Sequence, residues 1–167
     1  MNAAGAIVSE PFVNILNASS MMLPYEHFRA GLAANLDTVF IMTAAVVEQM
    51  VLRRAKGVII SLSSICACGN EGQTAYSAAK AAVNAMTVTW SRELGRFGIR
   101  CNAVAPGFID TPSTRTALNE AQLKHIVAET PLRRLGQPHE VAQAVAALIE
   151  NDFVNGVVLP VNGGLTL

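Results

Sequence analysis

A chain of 167 residues can build one domain with a true core and is too short for two of ordinary size. Hydrophobic residues make up 51% and charged residues only 14%, which excludes disorder and requires a heavily buried interior. Lysine plus arginine number 12, as do aspartate plus glutamate, and no basic run exists, which argues against nucleic acid and anionic membrane as partners.

So low a charge fraction fits an α/β protein whose sheet is covered on both faces, or a surface buried against other subunits or missing chain. The most apolar stretch, 39–52, contains Glu48 and Gln49 and is too short to cross a bilayer. No basic segment followed by an apolar run opens the chain, so no signal peptide is read and the expectation is a soluble, cytoplasmic protein with no membrane partner. Cys66, Cys68 and Cys101 are an odd count, and C-x-C is neither a zinc knuckle nor a C-x-x-C redox pair. They read as free thiols, and His27, His125 and His139, scattered through polar helical contexts, read as surface residues; no metal site is expected.

In chain order, residues 1–24 read as an irregular loop rich in Asn, Ser and Ala. Phe28, Leu32, Leu36, Val39, Phe40, Thr43, Val46, Val47 and Met50 recur at helical spacing, so a helix is predicted over 25–53 with Pro24 at its start. Gly57 breaks it, and the run to Ser64 reads as a buried strand. The turn Gly69-Asn70-Glu71-Gly72 precedes a long helix over 74–96, stopped by Gly98. Residues 100–105 form the next predicted strand, ended by Pro106-Gly107. Residues 108–137 read as a mobile excursion with one short helix near 119–128. Pro138 opens a helix to about Glu150, and a last strand occupies 156–161 before Asn162-Gly163-Gly164. Helices alternating with short β-branched runs predict α/β architecture with a parallel sheet.

Tyr76 and Lys80, at i and i+4 near a helix start, fall on one face. An unperturbed phenol titrates near 10, and a neighbouring ammonium favours the phenolate, so the pair is expected to exchange a proton with a reacting oxygen near neutral pH. Ser63 stands thirteen residues before Tyr76 at the carboxyl end of the predicted strand, where α/β sheets bind ligands. A hydroxyl there can polarise a carbonyl. Taken alone, Y-x-x-x-K also occurs as a surface tyrosine beside a solvated lysine, and any one of Ser61, Ser63 and Ser64 could simply cap the strand end.

Together these residues resemble the short-chain dehydrogenase/reductases. The stretches that carry the resemblance are Asn2-Ala3-Ala4-Gly5, Asn35 after Ala34, Ser63, Tyr76 with Lys80, Pro106-Gly107 with Thr111, and Asn162-Gly163-Gly164, in the family's order along nearly the whole chain. Residues 69–80, 102–111 and 131–136 are most similar to the 3-oxoacyl-(acyl carrier protein) reductase branch, although sugar, polyol and steroid dehydrogenases share them. The resemblance implies the C-terminal part of a doubly wound Rossmann-type domain spanning 1–167, with 108–137 as a substrate lid. It also implies an NAD(P)-dependent oxidoreductase reducing a carbonyl, with NADP favoured over NAD and a 3-oxoacyl thioester as the model substrate. Tyr76 would be the general acid/base, and Lys80 would lower its pKa and bind the nicotinamide ribose. Ser63 would orient the carbonyl, and Asn35 would hold a water behind Lys80. Pro106, Gly107, Ile109 and Thr111 would border the nicotinamide, and Asn2, Ala3 and Gly5 the adenosine side. Helices 25–53 and 74–96 would form a homodimer or homotetramer.

Two departures from the family stand out. Its glycine-rich turn, which holds the pyrophosphate, belongs upstream of Asn2, and Met1 falls at the end of what would be the fourth strand, so this chain alone is expected to bind cofactor weakly and to be catalytically incomplete. Asn35 follows Gly5 by 30 residues, a longer interval than the family's, with the extra residues placed in 13–23 as a surface insertion or an altered pocket wall. A competing expectation is a non-catalytic remnant serving as a binding or assembly module. Extended epimerases and dehydratases also carry Y-x-x-x-K, but Pro106-Gly107 with Thr111 and the terminal Asn-Gly-Gly argue against them.

Overall fold

The computed structural model describes residues 1–167 apart from Ala4, Val8, Ala18 and Ser19. Ala4 of the Asn2–Gly5 stretch and two of the extra residues therefore lie outside the described residues. Three parallel strands, β1 (Gly57–Leu62), β2 (Ile99–Pro106) and β3 (Val158–Val161), lie in the order β1-β2-β3. Gly57 pairs with Ile99, and Ala103 with Val158. The expected strands and their parallel sense are all present. Residues 1–24 are less irregular than expected. Asn2 forms a parallel bridge with Ser61, donating to Ile60 O at 2.8 Å and accepting from Leu62 N at 3.0 Å, so the start of the chain lies along the free edge of β1.

Period-2 alternation sorts the strand side chains onto two covered faces. Ile59, Ile99 and Cys101 pack beneath Val47, Met50, Val51, Trp90 and Leu94 of the helices α2 (Thr38–Leu52) and α3 (Thr74–Leu94). On the other face, Ile60, Val104 and Leu148 pack with Val141, Ala144 and Val145 of α6 (Pro138–Glu150). Two polar strand residues sit on this second face with their groups committed. Asn102 bonds Val154 O and Val157 N, and Arg100 bonds Leu148 O, Ile149 O and Val154 O. Both tie the connection into β3 to the sheet.

The helix expected over 25–53 is Tyr25–Leu52, with α1 (Tyr25–Leu32) and α2 separated by a π-helical turn at Ala33–Asp37. Such turns mark functional sites often enough to draw attention to Asn35 within this one. The helix is long and apolar enough to cross a membrane by length and composition, unlike its 39–52 portion taken alone. Here it lies in the α/β layer, with Asn35 and Thr43 buried against protein. The excursion 108–137 holds two helices where one was expected: α4 (Pro112–Ala117) and α5 (Glu120–Glu129). Thr111 and Asn119 each accept from the backbone three residues on, which starts both helices. Asp110 N bonds Gly136 O and Gly136 N bonds Phe108 O, so the two ends of the excursion are joined at its neck.

Candidate active site

The carboxyl ends of the strands converge, as open α/β sheets require of a ligand site. Beyond Asn2 comes Gly5, beyond β1 comes Ser63, and beyond β2 comes Gly107. They border one cavity of about 310 Å³, at the lower end of ligand-pocket volumes, whose walls include Ala3, Asn35, Tyr76, Lys80, Pro106 and Ile109. Eight described residues read from the sequence for cofactor or catalysis, besides Pro106, therefore meet there: Ala3, Gly5, Asn35, Ser63, Tyr76, Lys80, Gly107 and Ile109.

Asn2 and Thr111 do not line it. The Asn2 amide turns to Thr43 Oγ1 at 2.8 Å and Ser61 Oγ at 3.3 Å, locking the first residues onto β1 and α2. Thr111 Oγ1 caps α4, accepting from Thr114 N, and lies 3.0 Å from Thr114 Oγ1.

Ser63 continues the sheet, its N–H donating to Val104 O at 2.7 Å, and its hydroxyl lies 3.4 Å from Lys80 O. Helix α3 carries Tyr76 and Lys80 on one face, with Lys80 Nζ 5.5 Å from the Tyr76 ring centroid. The ammonium donates to Leu62 O at 2.8 Å, and the residue is 4% exposed. Burial pushes Lys80 below its ordinary pKa. The expected lowering of Tyr76 by Lys80 is not what this geometry gives. Burial pushes the phenol up, the Ser64 hydroxyl draws it part of the way back, and Cys66 adds a smaller upward push. Burial of the phenol is the largest effect, and the Lys80 ammonium is directed at the Leu62 carbonyl.

Asn35 is bonded through its side chain to two backbone segments. Its amide donates to Ala6 O at 2.8 Å and Gly31 O at 3.0 Å, and its Oδ1 accepts from Ala6 N at 3.1 Å. The side chain pins the loop after Gly5 to the π-helical turn.

Among the wall residues not read from the sequence as part of the site are Ser64 and Cys66. Ser64, passed over in favour of Ser63, caps the 3₁₀ turn Ile65–Cys68 by accepting from Cys66 N. Cys66 lies in the same turn and is buried. Their only sequence signal was adjacency to the strand end. The neck of the excursion carries two ion pairs, Arg115–Asp110 and Arg134–Glu140, each at 2.6 Å. The Arg134 guanidinium and the Gln137 backbone together hold Glu140 down at about 2.

A parallel α/β layer with Tyr76, Lys80 and Ser63 at one cavity on its carboxyl edge has the frame of a short-chain dehydrogenase/reductase, and the chain belongs to that family: a family model described as "Enoyl-(Acyl carrier protein) reductase" matches residues 1–166. Among its relatives, 3-oxoacyl-(acyl carrier protein) reductase FabG of Thermotoga maritima is 43% identical over 145 residues, covering 85% of this chain and 58% of that protein. The (3R)-3-hydroxyacyl-CoA dehydrogenase of Homo sapiens is 44% identical over 137 residues, 80% of this chain and 52% of that protein. The acetoacetyl-CoA reductase of a Synechocystis species is 46% identical over 138 residues, 80% of this chain and 57% of that protein. The chain thus spans between half and three fifths of the length of these relatives. A solved structure titled 4-hydroxyisoleucine dehydrogenase complexed with NADH superposes with a TM-score of 0.83 at 26% identity, over 98% of this chain and 66% of that one.

Proposed function

We propose that the protein reduces a carbonyl to an alcohol with a hydride from a nicotinamide cofactor, Tyr76 delivering the proton. The observation that carries this reading is the meeting of Tyr76, Lys80 and Ser63 with the Pro106–Gly107 turn at one cavity. A reduced nicotinamide supplies the hydride when bound. Lys80, Pro106, Gly107 and Ile109 would border its nicotinamide end, with Ala3 and Gly5 towards the adenosine side. The cavity's size and mixed lining suit that end of the cofactor. NADP is favoured over NAD on the strength of the resemblance to the reductase branch.

On this reading the Ser63 hydroxyl donates to the substrate carbonyl and holds it against Tyr76. As the new C–H bond forms, the C=O π electrons pass to oxygen, and the Tyr76 hydroxyl transfers its proton there to give the alcohol. A phenol raised by burial is fully protonated at neutral pH, the form this direction needs. Lys80, whose Nζ lies 5.5 Å from the ring centroid, would hold the nicotinamide ribose, and solvent reprotonates the phenolate left behind. Relatives named for 3-oxoacyl, 3-hydroxyacyl and acetoacetyl thioesters support a 3-oxoacyl thioester as substrate. The test is to incubate the purified protein with reduced cofactor and an acetoacetyl thioester. Cofactor oxidation matched by 3-hydroxybutanoyl product is expected; no product with either nicotinamide cofactor contradicts the reading.

A cytoplasmic homo-oligomer joined through the helices over 25–53 and 74–96 belongs to the same proposal. Phe40, Ile41, Met42 and Val46 are exposed on α2, and an apolar face of this kind favours a partner helix. The same face favours the second reading, a non-catalytic assembly module. An oligomer that binds no nicotinamide cofactor would support that one instead.

A further inference from the structure

A second cavity, of about 450 Å³, adjoins the first. The two share Ala6, Asn35 and Tyr76 as walls, so a molecule bound at the Tyr76 hydroxyl has a neighbouring space to extend into. Leu23, Ala30, Ala34 and Ala75 give the second chamber a small-residue, apolar lining. Its floor is the contact between α1 and α3, where a Cβ on Gly31 would stand 2.7 Å from Ala75 Cβ.

Three of the polar side chains of this chamber are committed to other partners. The Asn35 amide is spent on the backbones of Ala6 and Gly31. Glu10 Oε2 pairs with His27 Nδ1 at 2.8 Å, and the His27 side chain is 60% exposed, which places this pair at the rim. With the Asn35, Glu10 and His27 side chains already paired and the rest of the lining mostly apolar, an alkyl chain gains the hydrophobic term on entering.

The extra residues between Gly5 and Asn35 frame this chamber. Val13 and Met22 form an antiparallel bridge, flanked by Asn14 N to Met21 O at 2.7 Å and Leu23 N to Phe12 O at 2.9 Å. One foot of the paired segment is Glu10, clamped by its N–H to Gly72 O at 2.7 Å ahead of α3. The other foot is Leu23, and both feet line the chamber. Phe12, Ile15 and Leu16 stand exposed above them, a surface that an apolar chain can cross on its way in.

We propose that this chamber holds the alkyl tail of an acyl substrate whose carbonyl lies between Ser63 and Tyr76, so that the 10–23 segment selects for longer chains. The inference rests on the carbonyl-reduction reading for the position of the carbonyl, and its test separates the two. N-acetylcysteamine thioesters of 3-hydroxybutanoate, 3-hydroxyoctanoate and 3-hydroxydodecanoate are titrated calorimetrically into the protein. Binding is expected to tighten by about 4-fold for each methylene the chamber takes up. Ala30→Phe, at an exposed helix position, is expected to flatten that gradient and leave butanoyl affinity within about twofold, since it fills only the tail space. Ala34→Leu, a smaller change on the same wall, is expected to shorten the preferred chain. Equal affinity for all three lengths overturns the proposal, as does a gradient that both variants leave intact. A length gradient in a protein that performs no hydride transfer would leave the chamber standing and remove the reductase reading.

Discussion

Gly5 and Asn35 approach so closely that a Cβ on Gly5 would stand 2.7 Å from Asn35 Oδ1, and only 3.8 Å from Lys80 Nζ. The glycine is therefore what lets the loop beyond β1's edge, the π-helical turn and Lys80 share one wall. Gly5→Ala is expected to displace the Asn35 amide from Ala6 and cost about 1–3 kcal/mol in denaturant unfolding. Unchanged stability would mean that the loop yields freely and that the contact positions nothing.

Ser64 and Ser63 are expected to separate by pH profile. Removing the Ser64 hydroxyl takes away the bond that draws Tyr76 down, so Ser64→Ala should raise the phenol further. Reduction needs the protonated phenol, so its alkaline limb is expected to move to higher pH in the pH dependence of kcat/KM. Ser63→Ala should lower kcat by about 10²–10³-fold without moving that limb, because it loses a donor to the carbonyl. An alkaline limb that stays in place in Ser64→Ala would contradict the assignment of Ser64.

Much of this site was legible in the sequence because its parts are periodic or punctuated. Tyr76 and Lys80 are one helical turn apart, Ser63 ends a β-branched run, and Pro106-Gly107 ends another. The commitments of individual polar groups were not legible. Asn35 spends its amide on Ala6, which lies 29 residues away in the chain. Lys80 spends its charge on Leu62 O across the top of the sheet. Both depend on how loops fold over the strand ends, and no periodicity reports that. The π-helical turn was equally hidden, because one displaced turn barely disturbs an apolar pattern over a helix as long as Tyr25–Leu52. In 108–137, Thr111-Pro112 had the form of a helix start, yet only the segment with an evident apolar face was read as helical.

Cys101 carries an expectation for alkaline stability. Its thiol is buried on the helix-covered face of β2 and is pushed up from 9.0 to about 11. The neutral thiol is thus favoured by the fold. The stabilisation is complete below about 9 and is lost as pH rises through about 11. Tyr76, also raised, acts in the same direction, and Lys80, lowered, acts in the opposite one. Urea unfolding of wild type and Cys101→Ala across that window should show a shallower alkaline loss in the variant. Parallel curves would show that the thiol ionises at the same pH in the folded and the unfolded protein.

The measurement that bears most directly on the central claim is Tyr76→Phe, assayed for turnover and, separately, for nicotinamide cofactor binding. The substitution keeps the ring that packs beside Lys80 and removes only the hydroxyl. Turnover is expected to fall by about 10²–10⁴-fold while the cofactor Kd stays within about twofold. Near wild-type turnover in Tyr76→Phe would contradict the account, because the proton would then come from elsewhere.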